Sequence, residues 1–386
     1  MRFLHTSDWH VGKTLKGHHR LPEQRDVLNE IVGLAGEHDV DAVLIAGDIY
    51  DSAAPSAEAQ QLVVQTLLAI RDLGIPVVAI AGNHDHAATF DAYRPLMNEV
   101  GIHLIGTPLT GESGGTLELT ARSTNEPVII ASLPFVHQRY IVRAAELLAN
   151  TPVENSISYA QRIKDMLAAL ATAFRPDAVN IMMAHLTVTG STFGGGERAA
   201  QSIFEYQVPA AAFPAATNYV ALGHLHRRQA VTATVPVHYS GSPLAIDFGE
   251  QNNESVVCLV EATPSTPARI TDLPIQSGRR LLTVSGTLAE IAAQAEGVGD
   301  AFLRVWIKEP ARAGLRDEVI ERLPNALEVR IDPGFTARTA DSRPSNATGG
   351  DRTPAELFAE YCATKNVDDP RVQALFARLH DTTFQP

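Results

Sequence analysis

Five short segments place carboxylate, amide and imidazole groups directly behind apolar runs. They are Asp8-Trp9-His10, Gly47-Asp48-Ile49-Tyr50-Asp51, Gly82-Asn83-His84-Asp85, His185 after Ile181-Met182-Met183-Ala184, and Gly223-His224-Leu225-His226. Alternate residues of an extended chain point the same way, so Asp8 and His10 are expected to converge on one ion. With His84 set aside, the donors are Asp8, Asp48, Asn83, His10, His185, His224 and His226. One divalent ion rarely takes so many protein ligands and still leaves room for substrate, whereas two ions sharing a carboxylate would use them all. Nitrogen and oxygen donors without thiolate favour manganese, iron or zinc over a structural zinc site. Two such ions about 3.5–4 Å apart can clamp a phosphate, sharpen a bridging water into hydroxide and stabilise in-line displacement. Taken singly, each segment reads as common turn chemistry. Five in order, each behind an apolar strand, point to a site.

The elements that must carry these residues alternate. Arg2–Ser7, Ala42–Ala46 and Pro76–Ala81 are predicted strands, with amphipathic helices over Glu23–Ala35 and Ala57–Leu73 between them. Val128–Leu133, Asn180–Ala184, Tyr219–Leu222 and Val237–Ser240 read as further strands, and Gln138–Phe174 as a mostly helical excursion. This alternation predicts a layered α/β fold, with ligands at the carboxyl ends of strands, where open α/β sheets place their sites. Gly47, Gly82 and Gly223 each precede a ligand, where the backbone must turn tightly. A boundary is expected near Pro274–Gly278, giving a main domain over 1–274. A small α/β module follows over 275–332, then a polar linker over 333–353 and two short amphipathic helices within 354–386. Those helices could pack back on the body, and the linker before them favours docking on a partner's helices instead.

With 386 residues, 45% hydrophobic and 19% charged, the chain can bury a sizeable core. Its net charge of −13 argues against holding nucleic acid by bulk positive charge, though two divalent ions would reverse the field at one site. The two cysteines, Cys258 and Cys362, have no metal-ligand spacing and suit a reduced, cytoplasmic setting. No signal peptide or membrane span is expected.

At these residues the sequence resembles the calcineurin-like metallophosphoesterase superfamily. Within it, Leu4–Lys13, Gly47–Asp51, Ala221–His226 and Tyr239–Leu244 resemble the nuclease subunit of a bacterial DNA exonuclease complex. The resemblance implies a β-sandwich flanked by helices, a small α/β DNA-capping domain and a C-terminal helical tail. It assigns Asp8, His10, Asp48 and His226 to one manganese ion, and Asp48, Asn83, His185 and His224 to the other. Magnesium or another divalent ion is an alternative. His84 would approach the scissile phosphate rather than ligate, and Asp51 would orient it, with a turn-capping Asp51 as the other reading. A homodimer working with a coiled-coil ATPase bound at 354–386 is also implied. Arg228 departs from the pattern, which has proline there.

Lys13, Lys16, His18, His19 and Arg20 follow the first motif, Arg227 and Arg228 follow the fifth, and His137 and Arg139 lie in the helical excursion. These are candidate DNA-backbone contacts, or solvated loop charges. His5 is expected in the core or behind the ligands, His86 and His103 on the surface, and His238 is a candidate neighbour of the site. The leading expectation is a double-strand exonuclease and single-strand or hairpin endonuclease acting in DNA-end processing. The alternatives are a phosphodiesterase or phosphatase for small nucleotides or phosphoproteins, and a non-catalytic DNA-end-binding scaffold.

Overall fold

The computed structural model describes residues 1–137, 152–197, 207–312 and 314–335, together with Phe358, Cys362, Val372, Leu375 and Phe376. Arg139 and most of the linker and of the predicted tail lie outside the described residues.

Fifteen strands build the three larger sheets. They are β1 (Arg2–Thr6), β2 (Ala42–Ile45), β3 (Val77–Ile80), β4 (Ile102–Ile105) and β5 (Thr116–Thr120). Next come β6 (Pro127–Leu133), β7 (Val179–His185), β8 (Tyr219–Gly223), β9 (Gln229–Val231) and β10 (Val237–Tyr239). The last are β11 (Val256–Thr263), β12 (Thr266–Pro274), β13 (Leu281–Gly286), β14 (Phe302–Ile307) and β15 (Ala326–Ile331). Two six-stranded sheets, ordered β12-β11-β1-β2-β3-β4 and β9-β10-β8-β7-β6-β5, pack face to face, and β13-β14-β15 form a third.

Side-chain alternation explains the layering. Phe3, Leu44, Val78, Ile80, Cys258 and Val260 of the first sheet meet Val128, Ile130, Ile181, Met183, Tyr219 and Ala221 of the second. The intervening residues of the first sheet, such as Leu4, Val43, Ile45 and Val77, face outward under α1 (Leu21–Glu37) and α2 (Ala57–Asp72). Those of the second, such as Met182, Ala184, Val220 and Leu222, lie under α4 (Pro152–Leu170), whose Tyr159, Ile163 and Leu167 recur at helical spacing. A further helix, α3 (Ala87–Asn98), lies between β3 and β4. Central strands buried on both faces read as continuous apolar runs, which makes them visible in sequence.

The central strands are parallel, pairing Thr6 with Ile45, Ile45 with Ala79 and Gly223 with His185. Their carboxyl ends therefore line up at one edge of the sandwich. There the backbones nearly touch, because a Cβ on Gly223 would stand 2.0 Å from the Ala46 carbonyl oxygen.

By internal contacts the chain forms two compact units, Met1–Arg330 and Ile331–Pro386. Within the first, the small module is anchored by a cluster of Leu15, Phe248, Leu281 and Phe302. Arg20 and Arg279 both lie over the Phe302 ring. In the second, the rings of Phe358 and Phe376 stack 4.1 Å apart and Cys362 is buried. Among the described residues no helix is long and apolar enough to cross a membrane.

Candidate metal centre and active site

The loops behind β1, β2, β3, β7 and β8 bring all seven expected donors together. Ligand-capable atoms of Asp8, His10 and His226 form one group within 4.8 Å, and those of Asp48, His185 and His224 form another. Asn83 Oδ1 joins the second group, 2.9 Å from His185 Nε2 and 2.8 Å from His224 Nδ1. Asp48 stands between them, its Oδ2 3.4 Å from His185 Nε2 and 3.8 Å from His10 Nε2. Its other oxygen accepts the His84 backbone N–H at 2.8 Å, so a single oxygen faces both groups.

The convergence of Asp8 and His10 does not come from strand alternation. Both residues hold left-handed backbone, with φ of 53° and 45°, as do Asp48 (51°) and His224 (98°). The chain leaves β1 in a tight turn, pinned by hydrogen bonds from Asp8 N to Gly47 O and from His10 N to Asp48 O. Such backbone is costly outside glycine and clusters at functional sites. The glycine expectation also divides. Gly47 needs its φ of 95°, while Gly82 and Gly223 are there for space, since a Cβ on Gly82 would lie 2.1 Å from Asp48 Oδ1.

The donors fit divalent ions. His10 Nε2 and His226 Nε2 face each other at 3.0 Å. Two donors at right angles on one ion, with bonds of roughly 2.1 Å, stand about 3.0 Å apart. Asp8 and Asp48 are almost fully buried and, among the described residues, no lysine or arginine pairs with either. Buried carboxylates gathered with imidazoles, and with no lysine or arginine beside them, are the donor set of a cation site.

The electrostatics agree. Burial raises the Asp8 carboxyl to about 6, against the pull of His226 and His185. Burial would raise Asp48 too, but His185 and the other imidazoles carry it well below the usual carboxylate range. Burial depresses His10 to about 4 and His224 to about 3. His185 rises to about 9, burial being outweighed by Asp48, and His226 rises to about 9 because Glu250 outweighs burial. Both shifts favour the protonated imidazole, with which a metal ion competes.

His84 lies edge-on to the His10 ring, centroids 4.6 Å apart, and its ring also falls within reach of Asp48. Its Nδ1–H donates to the backbone carbonyl of Asp51 at 2.7 Å, whereas the Asp51 carboxylate is 3.9 Å away. Asp51 thus meets His84 through its main chain. Its side chain reaches Lys13 at 3.2 Å and lies 3.6 Å from His10 Nδ1.

The basic residues sort unevenly. Arg20 is buried, forked onto Glu23 and bonded to the Ala245 carbonyl, so it cannot touch DNA, and its guanidinium joins the small module to the main sheets. Arg228 is held by Asp272 at 2.8 Å and by the Tyr239 carbonyl, which also accounts for its place in this loop. Lys16 pairs with Glu328 of the module at 3.1 Å, and His18 packs on Phe302. Arg227 is exposed. His5 is a core residue between Tyr219 and the Leu222 carbonyl, lowered to about 3 by burial and nearby Arg228. His238 packs on Tyr219 and meets Arg228.

Sequence reasoning missed the residues that brace the donors. Asp85 accepts backbone N–H groups of Ile49, Tyr50 and Gly82, tying the second and third motifs together. Ser242 bonds the Asp8 carbonyl, and Ser7 bonds Asp8 Oδ2 at 2.6 Å. Phe135 stacks against His224. Glu250 and Glu197 surround His226. Asp85 stood inside a quoted motif, but no spacing marked either glutamate.

A family model described as calcineurin-like phosphoesterase matches residues 1–228. The chain is 36% identical over 351 residues to the SbcCD nuclease D subunit of Bacillus subtilis (strain 168), covering 88% of each. It is 32% identical to the protein of that name from Rhodobacter capsulatus, covering 93% of this chain and 94% of that one. To that of Escherichia coli (strain K12) it is 28% identical, covering 100% and 98%. The chain therefore belongs to the calcineurin-like phosphoesterase family, within the group that holds the SbcCD nuclease D subunits, and is a metal-dependent phosphodiester hydrolase.

Proposed function

We propose that this chain is a two-manganese DNA nuclease, a double-strand exonuclease and single-strand or hairpin endonuclease. It would act as a homodimer in DNA-end processing with an SbcC-like coiled-coil ATPase. One observation carries the reading. Likeness to SbcCD nuclease D subunits runs along 88–100% of the chain, past the end of the phosphoesterase family model at residue 228. A hydrolase for small phosphodiesters needs only the earlier part.

Asp8, His10 and His226 would hold one ion and Asn83, His185 and His224 the other, with Asp48 within reach of both. Two divalent ions bound there supply the charge that grips a phosphodiester and acidifies a water. His84, whose Nδ1 bonds the Asp51 carbonyl, would deliver a proton to the departing oxygen. Lys13 and Arg227 sit beside the motifs as DNA-backbone contacts, with the small module meeting Lys16 through Glu328 and His18 through Phe302.

The test compares linear double-stranded DNA with a small aryl phosphodiester, in manganese, with and without the ATPase. The reading expects manganese-dependent DNA cleavage that the ATPase stimulates. Turnover of the aryl ester alone would overturn it in favour of a small-substrate phosphodiesterase.

A further inference from the structure

Among the described residues, His226 makes the shortest carboxylate contact of the four imidazole donors. Glu250 Oε1 lies 2.6 Å from His226 Nδ1, and its Oε2 accepts the Ile246 N–H at 2.8 Å. Glu250 ends the short turn Phe248–Glu250, is 1% exposed, and has His226 as its only ion-pair partner among the described residues. A carboxylate so enclosed is costly unless its partner needs it.

The chain shields this pair with glycines. A Cβ on Gly196 would lie 1.7 Å from Glu250 Oε1 and 2.9 Å from His226 Nδ1, and one on Gly194 would lie 2.9 Å from His226 Cβ. Glu197 fastens the loop by accepting N–H groups of Gly194 at 2.5 Å, Gly195 at 2.7 Å and His226 at 3.0 Å. Only residues without side chains can lie so close, and their backbone covers the Glu250–His226 contact.

We infer that Glu250 is a positioning residue that keeps the His226 proton on Nδ1 and so presents Nε2, facing His10 Nε2 at 3.0 Å, as the ligating atom. The inference rests on the two-ion reading above. A glutamine here cannot serve. If its oxygen accepts from Nδ1, its amide N–H meets the Ile246 N–H. If it donates to Nδ1, the proton moves to Nε2 and blocks ligation.

The experiment measures manganese binding to the wild-type chain, Glu250→Gln, Glu250→Ala and Gly196→Ala by electron paramagnetic resonance of free and bound ion. Thermal melting of each metal-free protein runs alongside. The wild type is expected to take two ions with a spin-coupled spectrum. Glu250→Gln, which preserves shape, should keep one ion at wild-type affinity and bind the other about 10- to 100-fold more weakly, giving an uncoupled six-line signal. Glu250→Ala should do the same. Gly196→Ala leaves the carboxylate in the sequence but pushes it aside, and should repeat the loss. Two ions at wild-type affinity in Glu250→Gln would overturn the inference, as would a lowered metal-free melting temperature with coupling intact. A wild type that never takes two ions would instead remove the two-ion reading beneath it.

Discussion

The backbone N–H of His84 bonds Asp48 Oδ1 and its Nδ1 bonds the Asp51 carbonyl. Replacing its ring removes no group of the two donor clusters. His84→Ala is therefore expected to retain both manganese ions by metal analysis while DNA cleavage falls about 10²- to 10⁴-fold. Undiminished cleavage would remove its role as proton donor. A second expectation concerns acidity. His185 and His226, both raised to about 9, favour the protonated form with which a metal competes, and Asp8, raised to about 6, must also be ionised. Manganese affinity should climb as pH rises from about 6 towards 9, with proton release detectable by calorimetry in buffers of different ionisation enthalpy. A flat profile would contradict the assignment. The donors themselves were legible because aspartate, asparagine and histidine recur behind apolar runs at each strand end. Glu250 and Glu197 were not, because their partners lie 24 and 29 residues away and only the folded chain joins them.

At the scale of elements, the edge where the two sheets meet has no spare volume. A Cβ on Gly82 would strike Asp48 Oδ1 and Asp48 N, at 2.1 and 2.4 Å. Gly82→Ala should destabilise the metal-free protein by about 1–3 kcal/mol. It should also weaken manganese binding, through displaced Asp48, as read by melting and metal titration. The buried parallel strands and their helices stood out in sequence because continuous apolar runs and helical spacing are strong signals. The strands β4, β5, β9, β11 and β12 were not foreseen; β4 and β9 are short edge strands of four and three residues. Strand β12 is an edge strand with a mostly exposed pattern, and β5 closes the other sheet's edge, so neither carries a sustained apolar face. Strand β11 is apolar but follows the last motif, with no ligand-type residue at its end to mark it. Helix α3 has Pro95 inside it and a single buried residue, Phe90, which leaves no apolar stripe to read.

For the whole molecule, the small module is part of the same compact unit as the sheets. Ending the chain at Pro274 would strip Leu281 and Phe302 from Leu15 and Phe248, and Glu328 from Lys16. Phe248 is two residues from Glu250, and Leu15 follows closely on His10. Such a truncation is expected to lower the melting temperature and to impair ion binding by Asp8, His10 and His226, measured by calorimetry. Removal of residues 354–386 is expected to differ, preserving manganese-dependent cleavage of short DNA while abolishing co-purification with the ATPase. Unchanged complex formation would refute that role for the tail. The module's α/β character was readable from its own periodicity. Its attachment through Arg20 was not, because an arginine beside a catalytic motif reads as a phosphate contact until its burial is seen.

The left-handed backbone at Asp8, His10, Asp48 and His224 has an evolutionary corollary. At roughly 1 kcal/mol or more apiece, four such residues draw down a noticeable part of a marginal folding free energy. Selection for heat resistance alone would therefore replace them with glycine or asparagine, yielding hardier but inert descendants. Persistence of the original side chains under thermal selection would report demand for hydrolysis rather than for folding.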